Sequence, residues 1–119
     1  MKTASDPRHQ NRRICVQQLF SWSINPDTRP DNREASEVIS HLKQIDEQIV
    51  LNAPEWSIDK VNRIDLAVLR LGFYELNYQS QVSPKVVIDE AVELAKEFGS
   101  EKSSAFVNAV LAKYYEQIK

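Results

Sequence analysis

Leu66-Ala-Val-Leu-Arg-Leu-Gly-Phe-Tyr-Glu-Leu76 is apolar nearly all round, broken by Arg70 and Glu75. A helix with so little polar surface is stable only when neighbours enclose it, so this segment is the expected centre of a helical fold. Asn62 stands three residues ahead of Asp65, a variant of the capping box that fixes where the helix starts.

Upstream, Cys15, Leu19 and Trp22 fall at i, i+4 and i+7, and Val16 and Phe20 widen the stripe, which predicts an amphipathic helix over 10–24. Asn25-Pro26 stops it, and 25–32 reads as a proline-containing loop. Asn32 caps a second helix carrying Val38, Leu42, Ile45 and Ile49 on one face, ended by Asn52-Ala53-Pro54. Trp56 and Ser57 lead into a short capped turn at Ile58. Downstream, Ser83-Pro84 pairs a cap residue with a proline at the first helical position. Val87, Ala91, Leu94 and Phe98 share the face of the helix that follows. Gly99 is expected to close it in the left-handed conformation. A last helix runs from about Ser103 to Ile118, with Phe106, Val107, Val110, Leu111 and Tyr114 inward. The fold class is all-α, with five to six helices in one domain.

The composition narrows the function. The chain has 119 residues, 2 Gly and one Cys, which leaves no phosphate-binding glycine loop, no internal disulfide and no multi-cysteine metal site. No apolar run reaches the roughly 18 residues that span a bilayer, and residues 1–7 lack the apolar core of a secretory signal, so a cytoplasmic location is expected. Cys15 lies on the apolar stripe and reads as a small buried hydrophobe. His41 reads as a boundary residue. Asp89 and Glu90 are neighbours on a helix, pointing apart, and make no acid/base dyad. Neither an enzyme nor a cofactor is expected.

Charge is uneven. Residues 1–13 carry Lys2, Arg8, Arg12 and Arg13 against Asp6 alone, although the whole chain is −2. Single-stranded RNA needs cations for phosphates and aromatic faces for bases. Two places offer both. One is the start of the first helix, with Arg8, His9, Arg12 and Arg13 ahead of Phe20. The other is the junction Phe98-Gly99-Ser100-Glu101-Lys102 leading to Phe106. On the residues alone, core packing of both phenylalanines and a solvated basic arm are the competing reading.

Three blocks in order carry a resemblance. Arg13-Ile-Cys-Val-Gln-Gln-Leu-Phe-Ser-Trp22, Asp65–Leu76, and Lys85-Val-Val-Ile-Asp-Glu-Ala-Val-Glu-Leu-Ala-Lys-Glu-Phe-Gly99 with Phe106-Val-Asn-Ala-Val-Leu111 resemble the bacterial transcription antitermination family NusB. The resemblance implies two small, orthogonally packed helical subdomains: a flexible basic arm over 1–9, a reduced N-terminal subdomain over 10–53 and a C-terminal one over 54–119. It implies binding of boxA RNA in ribosomal RNA leaders together with NusE, a small-subunit ribosomal protein, and through them contact with other Nus factors and RNA polymerase. The RNA surface it implies is Arg8, His9, Arg12, Arg13, Phe20, Phe98, Gly99, Ser100, Lys102 and Phe106. Asp65 and Glu75 are the acidic candidates for NusE. Between Trp22 and Trp56 the chain is shorter than is usual in the family, leaving one expected helix where there are normally two. A homodimer through the first helix, or a tight NusE contact, would cover apolar surface left by that shortening. The alternative function is a helical protein-interaction module with reduced or no RNA binding. A third reading, a module attached to a methyltransferase, ranks last.

Overall fold

Capping chemistry sets the helix boundaries in the computed structural model, which describes residues 6–53 and 57–119. Among the described residues six helices follow in order: α1 (Pro7–Ile24), α2 (Arg33–Ser40), α3 (Leu42–Asn52), α4 (Arg63–Tyr78), α5 (Pro84–Phe98) and α6 (Ser103–Ile118), with a 3-10 turn at Ile58–Lys60 between α3 and α4. No strand occurs among the described residues. Lys2, Pro54 and Trp56 lie outside them.

The predicted caps form. The Asn32 side chain accepts from the Ala35 amide, Asn62 from Ile64 and Asp65, and Ser83 from Val86. Each satisfies amides that a helix start leaves without an internal partner.

Two expectations are corrected here. First, α1 begins at Pro7, capped by Asp6, whose side chain accepts from the Arg8 amide at 2.9 Å. Arg8 and His9, expected in a flexible arm, therefore belong to a first helical turn. Second, the stretch expected as one helix is two, α2 and α3, divided at His41 with φ −111° and ψ 17°. The His41 Nδ1 bonds the Glu37 carbonyl at 2.9 Å and its ring lies 4.1 Å from that of Tyr78. A side chain bonding back into the preceding turn competes with the regular ladder, and this favours the break.

Helix α4 is the hub. Every residue from Asp65 to Glu75 is buried, and α4 touches each of the other five helices. The core around it takes Cys15, Val16 and Leu19 from α1, Val38 from α2, Ile45 and Ile49 from α3, Leu94 from α5, and Val107 and Leu111 from α6. Gly72 lets α6 approach closely, since a Cβ there would sit 3.0 Å from both methyls of Leu111. Arg70, which interrupts the apolar run, turns to α3 and donates from Nε and Nη2 to Asp46 at 3.0 and 2.9 Å. Burial of a guanidinium is tolerated when a carboxylate meets it in this two-point geometry.

Candidate nucleic-acid interface

The basic residues of α1 divide between two faces, and helical spacing explains the division. Arg12 sits three, four and seven residues before Cys15, Val16 and Leu19, on the buried stripe itself. Its guanidinium donates to Glu75 from Nε at 2.9 Å and from Nη2 at 3.1 Å, and to Glu90 from Nη1 at 3.4 Å. His9 Nδ1 donates to Glu90 Oε1 at 2.8 Å. Asn11 adds a bond to Glu34 at 2.6 Å. Arg12 is 8% exposed and Glu75 3%. Burial pushes the Glu75 carboxyl up, and Arg12 pulls it back. Burial works to lower the Arg12 guanidinium, and Glu75 and Glu90 outweigh it. This inner cluster ties α1 to α4 and α5. Arg8, His9, Arg12, Glu34, Glu75 and Glu90 are among the residues lining a groove of about 900 Å³.

Arg13 faces elsewhere. It shares its helix face with Phe20, seven residues on, and reaches the end of α5. Its Nε donates to Glu97 at 3.0 and 2.8 Å and its Nη2 lies 2.6 Å from the same carboxylate. Its guanidinium carbon stands 5.6 Å from the Phe98 ring centroid, a cation–π distance. Nη1 also donates to Gln10 at 2.9 Å. The α1 face bearing Arg13 and the α5–α6 junction are thus in direct contact.

The junction is built around Gly99 and Ser103. Gly99 is extended, with φ −102° and ψ −164°, so the expected left-handed cap is corrected. What requires glycine is crowding. A Cβ would meet Ser103 Oγ, lie 2.6 Å from Ser103 Cβ and 2.8 Å from the Ala95 carbonyl. Ser103 is buried, and its Oγ accepts from the Ser100 amide at 2.9 Å. Ser100 and Lys102 are exposed around this turn. Phe20, Phe98 and Phe106 are half-buried and pack against the core.

Asp65 and Glu75, expected as acids for a protein partner, are both buried inside the fold. Glu75 is taken by Arg12. Asp65 lies beneath the junction, where burial raises its carboxyl pKa and a hydrogen bond with Ser103 opposes the rise. Its Oδ1 is buried without a hydrogen-bond partner. Arg8 is open, with its side chain 83% exposed beside Asp6. Sequence reading missed Glu97 and the role of Glu90. Glu90 carries a local signal, since Val87, Glu90, Ala91 and Leu94 share the buried face of α5. Glu97 carries none, because its partner is 84 residues away.

A sequence model of the NusB family matches residues 32–116. The chain belongs to the NusB family. It is 46% identical to the transcription antitermination protein NusB of Geobacillus kaustophilus (strain HTA426), over 89% of this chain and 93% of that protein. It is 49% identical to the protein of the same name from Myxococcus xanthus (strain DK1622), over 73% of this chain but 63% of that one. Among solved structures, T. maritima NusB superposes with a TM-score of 0.84 at 30% identity, covering 98% of this chain and 94% of that one. A chain in the crystal structure of a plectonemic RNA supercoil superposes with a TM-score of 0.82 at 26% identity, covering 93% and 95%. The all-α fold expected from the sequence is therefore the fold of the family. No described helix is long and apolar enough to cross a membrane.

Proposed function

We propose that this protein is an RNA-binding transcription antitermination factor, and that it holds boxA-type single-stranded RNA of ribosomal RNA leaders jointly with the ribosomal protein NusE in the cytoplasm. Its contact with other Nus factors and RNA polymerase would run through that complex. The observation that carries the reading is the approach of Arg13 to Phe98, which joins a cationic helix face to a junction with small residues and half-buried aromatic rings. Phosphate contacts position a strand, and aromatic faces hold unstacked bases. The relatives' shared name and the RNA in one similar crystal structure support the same reading.

Within the expected surface the roles differ. Arg8, Arg13, Ser100 and Lys102 are the side chains open to a strand, with Phe98, Phe106 and Phe20 as stacking faces. Gly99 shapes the turn. His9 and Arg12 support the surface from beneath rather than touching RNA. NusE is retained as partner without Asp65 and Glu75 as its contacts.

One observation favours the alternative, an interaction module with reduced or no RNA binding. His9, Arg12 and Arg13 each already have an intramolecular acid partner. A gel shift with boxA and scrambled RNA, each with and without NusE, separates the readings. Selective retardation of boxA that NusE strengthens is expected. Capture of NusE with no RNA shift under any condition would leave the alternative standing.

A further inference from the structure

The Arg13–Glu97 pair has an unusual setting. Glu97 is in the last turn of α5 (Pro84–Phe98), where the carbonyl end of the helix disfavours a negative charge. Its two oxygens face Arg13 in the forked arrangement that a phosphate would also offer. The side chains are 31% and 37% exposed, so an incoming strand reaches them without unfolding anything. Phe98 lies under the same guanidinium.

We infer that Glu97 restrains RNA binding, acting as an internal stand-in for phosphate on Arg13. The inference rests on the RNA-binding reading above. A strand that offers only a phosphate exchanges one anion for another at Arg13 and then lies beside the released Glu97 carboxylate. The exchange gains little. A strand that also places a base at Phe98 adds stacking to the exchange, and stacking is what tips it. Every strand that takes Arg13 must displace Glu97, so Glu97 lowers the affinity of all of them and leaves the choice among strands to the base at Phe98. The inner pair cannot work this way, because Arg12 and Glu75 are closed to solvent.

The test is Glu97→Gln in the full chain, which keeps the size of the side chain and removes an unfavourable helix-end charge. Fluorescence anisotropy is read with a labelled boxA-type oligoribonucleotide and its scrambled counterpart across a salt series. The scrambled RNA is expected to bind about threefold tighter than to wild type, the order of effect an exposed ion pair exerts. Its salt slope should steepen by about 0.7, one single-strand phosphate contact. The boxA-type RNA should tighten by about the same factor, because both strands displace the same carboxylate. Glu97→Ala should repeat the result. Unchanged or weakened affinity for the two RNAs would overturn the inference while leaving RNA binding intact. If wild type binds neither RNA, the RNA-binding reading falls and this inference with it.

Discussion

Arg12 and Arg13 are neighbours in the chain and opposites in the structure. The first is enclosed with Glu75 and Glu90, bridging three helices. The second lies at the surface against Glu97 and Phe98. One residue of offset on a helix turns a side chain by about 100°, and that rotation separates a structural cation from one a ligand can take. A basic run in a sequence is therefore not one feature. Its members must be assigned face by face.

The sharpest way to break the comparison is Arg12→Ala. It strands the buried Glu75 carboxylate and takes one of its partners from Glu90, and loss of one partner from a buried ion pair costs about 3–5 kcal/mol. Urea denaturation should show that loss, and any fall in RNA binding should track unfolding. Gly99→Ala comes next. It drives a methyl into Ser103 and the Ala95 carbonyl, and overpacking of this kind costs about 1–3 kcal/mol. Thermal melting should fall, with the junction losing RNA affinity at temperatures where the protein is still folded.

Asp65 sharpens the contrast, because it is a buried acid like Glu75 but has no guanidinium. Its carboxyl is raised above the ordinary 3.8 by burial, so the folded state binds its proton more tightly than the unfolded chain does. Stability from this group then rises as pH falls through the raised value and is complete below 3.8. Against Asp65→Asn, wild type should gain relative stability as pH is lowered through that window, read by denaturation at a series of pH values. A difference between the two proteins that is flat with pH would contradict it. The smallest stability effect is expected from Arg13→Ala, whose melting temperature should match wild type. Its RNA affinity should fall, and its salt slope should become shallower by about 0.7. Equal effects of Arg12→Ala and Arg13→Ala on melting would erase the distinction between the two sites.

Much of the fold was legible in the chain. The apolar run 66–76 announced a buried helix, and the caps Asn32, Asn62 and Ser83 marked starts that the structure reproduces. The break at His41 was hidden because the apolar spacing of Val38, Ile45 and Ile49 continues through it. The left-handed form of Gly99 was inferred from helix-end habit, whereas the real constraint comes from Ser103, which folds back under the turn. At the candidate site, Arg12 is expected on the RNA surface and is found buried, although its spacing to Cys15, Val16 and Leu19 puts it on the apolar stripe. The pairing of Arg13 with Glu97 was not legible, since it exists only once α1 and α5 have been packed against α4.

The position of α4 bears on how the molecule can be taken apart. It packs against all five other helices, and one continuous core takes side chains from both halves of the chain, so the two halves share a single interior rather than owning one each. A polypeptide severed ahead of α4 would leave the first part with a naked greasy face and the second with a stranded Glu75. Neither piece is a self-sufficient folding unit. Dissection would have to preserve all six helices together, and melting should proceed in one cooperative step.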